Sequence, residues 1–308
     1  MSIRIGLGVS GVPFSGPDAF WRLVDLCEEG DVDSLWVSER LVSLQPTLEP
    51  VATMAALAGR TRRLKFGCNA ILLPLRDPLV LAKECATIDY LSGGRLLLTF
   101  GVGRDAAPEF AATGRDPSAR GRQADEMLAI MTRLWSEDRV SFQGRFYRYR
   151  EASIAPKPLQ QPLPLWIGGS SPAAVRRTAR YGTGWLGGVQ TPAQVGPVVA
   201  AIKAAAAEAG RTIDEDHYGA GFPFRFGSWE EPAVQRAAAA LARTPGAPDP
   251  RAYLAVGGAA EILARIDEYV AAGVSKFVLR PVAESDVDAL AQTRRLMEEV
   301  IPTVHGRA

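Results

Sequence analysis

Pro164-Leu165-Trp166-Ile167-Gly168-Gly169-Ser170-Ser171-Pro172 passes from one kind of backbone to another within a few residues. The short apolar run reads as a buried strand. Two glycines then turn the chain, and a serine stands directly before a proline. Ser171 offers an acceptor to the orphan N–H groups of a helix start, and Pro172 loses nothing at the first helical position. A strand that ends in a glycine turn and opens at once into a helix is a βα unit. Parallel sheets are built from such units.

The same transition recurs along the chain. Asp77-Pro78 and Thr191-Pro192 each place a capping side chain before a proline, and Ser15-Gly16-Pro17-Asp18 opens a first helix whose apolar face includes Phe20, Leu23, Val24 and Cys27. Strands are expected at 3–8, 34–38, 64–70, 95–101, 163–168, 184–188, 218–226 and 276–281, each followed by a helical stretch. Eight parallel units close most economically as a barrel. The fold class is therefore expected to be α/β, a (β/α)8 TIM barrel. The 308 residues could make two domains, but such barrels routinely exceed 200 residues as one, so a single domain over 1–308 is expected. The alternation breaks at about 104–163, an insertion after the fourth strand holding a helix near 121–135, a hairpin at 139–147 and a proline-rich run at 156–164. A second irregular stretch covers 227–257. Loops this long are often lids or binding loops.

Composition excludes several classes. A net charge of +1 with no clustered basic run argues against nucleic-acid binding. Cys27, Cys68 and Cys85 are far apart and odd in number, with no CxxC spacing, so neither a disulfide framework nor a zinc site is supported. The first residues lack the apolar run of a signal peptide, and no apolar stretch reaches membrane-spanning length. A cytoplasmic location away from membranes is expected.

In such a barrel the reacting groups come from strand C-termini and the loops after them. His217 and His305 are the only histidines and neither stands at such an end, so no metal site is expected. Lys65 and Lys276 fall at strand starts, the wrong face for a Schiff-base lysine. What remains is rich in glycine and arginine. Gly168-Gly169-Ser170-Ser171 exposes N–H groups at a helix start, which suits a phosphate; a tight turn with glycines serving geometry alone is the alternative. Gly101-Val102-Gly103-Arg104 could let a planar ring lie on the backbone or only relieve crowding, and Gly187-Gly188 could complete an anion nest. Glu39-Arg40 reads either as a cofactor and substrate contact or as a pair of solvated charges. Arg225 and Arg280 read first as ion-pair formers, and Phe222, Phe224 and Phe226 as residues packed under helices.

Several stretches together resemble the luciferase-like monooxygenase family, which includes the F420-dependent oxidoreductases. They are Gly59 to Gly67, then Leu81-Ala82-Lys83-Glu84-Cys85-Ala86-Thr87-Ile88-Asp89-Tyr90-Leu91-Ser92-Gly93-Gly94-Arg95, then Gly101-Val102-Gly103 with Glu109-Phe110, then Pro164 to Ser170 and Tyr181-Gly182-Thr183-Gly184-Trp185. They stand in family order across most of the chain. The resemblance implies a luciferase-like barrel binding FMN or coenzyme F420, with F420 slightly preferred. It implies Glu39 near the cofactor and a bulge with a non-proline cis peptide at Asn69-Ala70 behind the ring. Gly101 to Arg104 would flank ring or tail, and Gly169, Ser170 and Ser171 would take the phosphate.

The family's usual histidine after the acid of the second strand is Arg40 here. A guanidinium stays protonated at working pH, so it would stabilise negative charge and would not shuttle a proton. Arg40 and Glu109 are the candidate catalytic residues. The implied activity is oxidoreduction of a small organic substrate. With F420 this is hydride transfer; with reduced FMN it is monooxygenation, the flavin coming from a separate reductase. A non-catalytic flavin-binding protein is the alternative. Relatives commonly dimerise through barrel helices, so a homodimer is expected.

Overall fold

Proline heads helix after helix: Pro17–Glu29, Pro50–Arg60, Pro78–Ser92, Pro172–Tyr181 and Pro192–Glu208 all begin on one. Its fixed φ suits the first turn and its missing N–H would have had no partner there. Side-chain caps complete the starts at Asp77, which accepts from the Leu79 and Val80 amides, and at Ser171, which accepts from Ala174. At Thr191 the box works from the other side, the Gln194 carbonyl oxygen accepting from the Thr191 amide at 2.9 Å. Phe20, Leu23, Val24 and Cys27 are buried on the first helix, as its pattern predicts.

The computed structural model describes residues 2–104 and 107–306. In chain order the strands are β1 (Arg4–Gly8), β2 (Ser34–Val37), β3 (Lys65–Leu72), β4 (Leu96–Gly101), β5 (Val140–Gln143), β6 (Arg148–Ala152), β7 (Leu165–Gly168), β8 (Gly184–Leu186), β9 (Tyr218–Ala220), β10 (Pro223–Phe226), β11 (Ala255–Gly257) and β12 (Lys276–Pro281). The chain forms two compact units, one from 1–36 with 185–308 and one from 37–184.

In the first unit β12 pairs in parallel with β1, β9 and β10; β1 also pairs with β2, β9 with β8, and β10 with β11. Its core includes Ile5, Leu7, Phe222, Phe277 and Tyr269, all fully buried, with Phe222 stacked on Tyr269 at 5.5 Å. Burial of Phe222, Phe224 and Phe226 agrees with their packing role. The stretch 218–226, expected as one strand, is two. Gly221 breaks it, because a side chain there would run into the Val278 carbonyl oxygen, and the chain steps from the start of β12 to its end. A further strand, β11, lies inside the stretch expected to be irregular; three residues are too few for a periodic signal.

In the second unit β3, β4 and β7 pair in parallel, while β5 and β6 form the antiparallel hairpin expected in the insertion. The insertion helix is Arg120–Ser136; its Trp135 indole N–H donates to the Ala82 carbonyl at 3.0 Å, and Glu126 gathers the amides of Arg145, Phe146 and Tyr147 at the hairpin turn. The buried Asp89 carboxylate accepts from the Leu159 and Gln160 amides and so ties down the proline-rich run. Ser92-Gly93-Gly94-Arg95 turns a helix into β4. Gly93 caps the helix at φ 69°, a left-handed conformation that favours glycine, and the Arg95 guanidinium donates to the carbonyls of Ala58, Thr61 and Leu64. The most family-like stretch of the sequence is thus a scaffold joint. Among the described residues no helix is long and apolar enough to cross a membrane.

Candidate functional site

The register of β3 against β4 slips between Asn69 and Ile71, leaving Ala70 as a bulge, and the Asn69–Ala70 peptide is cis, at the position expected from the resemblance. The neighbouring strand ends offer almost no side chain. A Cβ added at Gly101 would lie 3.3 Å from the Ala70 methyl, and one at Gly168 would lie 3.7 Å from it. So around the Ala70 bulge the ends of β4 and β7 carry glycine, and only the Ala70 and Thr99 methyls and the Leu72 side chain come near, a rim made largely of main chain. Beside it Gly103 leaves space that the Phe110 ring fills, since a Cβ there would sit 3.1 Å from that ring.

The phosphate candidates follow directly from β7. Gly169 has φ 97°, which a side chain rarely tolerates, and this turns the chain so that exposed Ser170 precedes the helix Pro172–Tyr181. The Ser171 hydroxyl accepts from the Ala174 amide at 3.2 Å, so it is partly spent on the cap. Ser170 is exposed too, and its hydroxyl, next to the positive end of the helix dipole, is not used in the cap.

Glu39, at the end of β2, has a side chain only 4% exposed. One carboxylate oxygen accepts from the Leu72 amide at 2.5 Å and the other from Arg76 Nη2 at 2.5 Å. The same Nη2 reaches Glu49 at 2.6 Å, and Glu49 caps the helix Pro50–Arg60 through the Ala52 amide. Burial pushes the Glu39 carboxyl above the usual carboxylate range even with Arg76 beside it. Burial opposes ionisation of Glu49 too, but the Ala52 amide and Arg76 hold it below that range. Arg76, four residues after Leu72, escaped sequence reading. Its only local signal is its place before the Asp77-Pro78 cap, and Glu49-Pro50 repeats that acid-proline signature.

The raised Glu39 pKa couples stability to pH. The folded state holds this proton more tightly than the unfolded chain, so stability is fully present below the unfolded value of 4.5 and is lost as pH rises through the folded one. Relative to Glu39→Gln, the wild type should lose stability over that window in urea titrations; a gain would contradict the burial argument.

The other candidates divide. Glu109 is 5% exposed at the head of the short helix Pro108–Thr113, while Arg40 and Arg104 are exposed. Gly187 and Gly188 belong to the first unit. Gly187 is buried and accommodates the Trp185 ring, and Gly188 is exposed. Arg225 pairs with Glu231 and Asp288, and Arg280 donates to the Tyr253 hydroxyl at 2.6 Å, so the ion-pair reading holds for the first. Asp214, Asp216 and His217 bring ligand atoms within 4.8 Å of one another, a grouping that sequence reading did not anticipate; Arg4 already pairs with Asp216 at 3.2 Å. A groove of about 570 Å³ shares Glu39, Glu49 and Arg76 with the ion triad but is lined by none of the rim glycines; Val51, Leu75 and Ile88 form part of its wall.

The model of the luciferase-like monooxygenase family matches residues 4–291. An F420-dependent glucose-6-phosphate dehydrogenase of Nocardia farcinica is 32% identical over 226 residues, 69% of this chain and 66% of that protein. The matches to curated relatives span 56–66% of those proteins' lengths. Monooxygenase RslO1 from Streptomyces bottropensis superposes with a TM-score of 0.84 at 24% identity, covering 98% of this chain and 99% of its own. An F420-dependent secondary alcohol dehydrogenase, solved with an F420-acetone adduct, gives 0.85 at 20% identity, covering 99% of each chain. The fold shared with such structures is the (β/α)8 barrel expected from the sequence.

Proposed function

The chain belongs to the luciferase-like monooxygenase family, and on that premise we propose that it is an F420-dependent oxidoreductase acting on a small organic substrate. The observation that carries this is the bare rim: Ala70 at the bulge, Gly101 and Gly168 beside it, and a capped helix start immediately after Gly168. A flat ring needs main chain with few side chains in the way, and its phosphate needs the N–H groups of a helix start; a glycine-rich rim and a capped helix start stand on the ends of neighbouring strands. Asn69, Ala70, Gly101 and Gly103 would hold the ring, and Gly168, Gly169, Ser170 and Ser171 the phosphate, with Arg104 exposed nearby in sequence. When bound, the deazaflavin supplies a hydride donor or acceptor at a ring carbon.

The chain's own residues then set the surroundings. Arg40, exposed and permanently charged, would stabilise negative charge on the substrate. Glu109, buried, is the acid proposed to hold or move a proton. Glu39 supports the rim from behind, because both its oxygens are engaged within the protein. The F420 preference is supported by the dehydrogenase likeness. FMN on the same rim, delivered by a separate reductase and serving monooxygenation, is the other outcome.

The test is a titration of the purified chain with F420 and with FMN, each oxidised and reduced, followed by turnover on alcohol, aldehyde and alkene panels. Tight F420 binding with hydride transfer is expected. Binding without turnover on any panel would favour a non-catalytic flavin-binding protein, and binding of neither would end the proposal.

A homodimer is proposed as well. The helix Pro78–Ser92 leaves Val80, Tyr90 and Leu91 52–64% exposed, and Leu44 and Leu48 are 103% and 54% exposed, while Ala52, Ala55 and Gly59 of the helix Pro50–Arg60 are exposed and small. Apolar exposure of this kind marks interaction surfaces. Light scattering should give twice the monomer mass, and Leu91→Glu should halve it; a monomeric wild type would contradict this.

A further inference from the structure

Resting on the cofactor reading above, we infer that Arg76 is a positioning residue: its guanidinium clasps both ends of the loop 40–48 and, through Glu39, fixes the β3 edge beside the bulge. The two carboxylates it joins stand at either end of that loop, Glu39 before it and Glu49 after it, at 2.5 and 2.6 Å from the same nitrogen. Residues 40–48 between them are all exposed, including Leu41 and Leu44 at 53% and 103%. Within one protomer these apolar side chains pack against little, so there the loop's shape depends on how its ends are held. Arg76 itself is well placed to hold them. It follows the short turn Leu73–Leu75, donates its amide to the Leu73 carbonyl at 3.0 Å, and precedes the Asp77 cap of the helix Pro78–Ser92.

The second half of the clasp reaches the rim. Glu39 accepts from the Leu72 amide, and Leu72 pairs in register with Gly101, so the carboxylate fixes the strand immediately past the bulge. The groups facing Glu39 are Arg76, Glu49 and the buried Cys68 thiol, with Glu84 and Lys83 further along the shared groove and Arg40 next in the chain. Of these Arg76 alone contacts the carboxylate as a cation. Without it, a buried carboxylate would keep its proton to higher pH. A neutral acid is a weaker acceptor for the Leu72 amide than a carboxylate. Loop and rim would loosen together.

Both carboxylates meet a single nitrogen, and the buried Arg76 Nε has no hydrogen-bond partner among the described residues. The guanidinium therefore acts here as a point charge and not as a fork, a role that lysine can reproduce. Arg76→Lys is therefore the conservative rescue.

The experiment measures F420 and FMN affinity of the whole chain from pH 5 to pH 9, beside trypsin cleavage at Arg40, for the wild type, Arg76→Gln, Arg76→Lys, Glu49→Gln and the double variant Arg76→Gln with Glu39→Gln. In Arg76→Gln, binding should weaken about tenfold at neutral pH, a loss on the scale of a broken charge-assisted bond, and its acid limb should move up by about one pH unit. Arg76→Lys should recover most of both. The double variant should bind weakly with no acid limb, and Arg76→Gln should be cut at Arg40 about tenfold faster, as expected for a released loop end. A folded Arg76→Gln with wild-type affinity, pH profile and cleavage would overturn the inference, as would a double variant that keeps the raised limb. Should Arg76→Gln not fold, Glu49→Gln decides: faster cutting at Arg40 without an upward shift of the acid limb supports the clasp, and unchanged cutting refutes it. A wild type that binds neither cofactor removes the cofactor reading, and the cleavage series then judges the clasp by itself.

Discussion

Ser170→Asp should weaken F420 or FMN binding about tenfold or more while leaving the fold intact. Ser170 is exposed between the left-handed Gly169 and the Ser171 cap of the helix Pro172–Tyr181. A carboxylate at a helix start interacts favourably with the dipole, by about 0.3–1 kcal/mol, so the variant has no reason to unfold. The bound phosphate would feel the opposite. Two like charges 4 Å apart repel by about 1 kcal/mol in water and about 4 kcal/mol near a protein surface, which corresponds to roughly fivefold to several-hundredfold in affinity. The same carboxylate would also compete for the N–H groups at the helix start. Fluorescence titration of the cofactor, with thermal unfolding as the control, checks it. Unchanged affinity in a folded variant would remove the phosphate assignment.

Lys276→Met should cost stability. The lysine lies in the sheet with its side chain 3% exposed, paired with Asp33, donating to the Ser34 hydroxyl at 2.8 Å and set 5.9 Å from the Trp36 ring centroid. Methionine fills similar volume but leaves the Asp33 carboxylate, 16% exposed, without this cation. Breaking a buried pair from one side costs about 3–5 kcal/mol, and the partial exposure of Asp33 favours the lower end. In a chain of 308 residues about 3 kcal/mol lowers Tm by roughly 5 °C. Adding Asp33→Asn should restore part of the loss. A variant as stable as the wild type would show that the pair contributes little.

The sequence carried the strand–turn–helix grammar well, because proline, small capping residues and glycine act within a few residues of where they stand. Gly168 to Pro172 could be read from their own chemistry, as could the helix starts at Asp77 and Ser171. The bulge at Asn69-Ala70 came through the family resemblance alone, since nothing in Cys68-Asn69-Ala70-Ile71 distinguishes a bulge from a plain strand. Glu39 stands beside Arg40 in the chain, but its partner is Arg76, 37 positions on. Adjacency along the chain cannot show which of two arginines turns inward. Arg40 is exposed, and Arg76 is brought to Glu39 by the turn that follows β3. The break at Gly221 was equally hidden: the Val278 carbonyl that forbids a side chain there comes from a strand more than fifty residues away.

The glycine-rich rim of β3, β4 and β7 is the proposed seat of a phosphorylated tricyclic coenzyme. A crystal structure of the chain grown with F420, and a second with FMN, tests this most directly. The ring is predicted to lie in van der Waals contact with Ala70, with the phosphate within hydrogen-bond distance of Ser170 or the amides that follow it. A ring bound in the groove of Val51, Leu75 and Ile88, with the rim left to solvent, would contradict it.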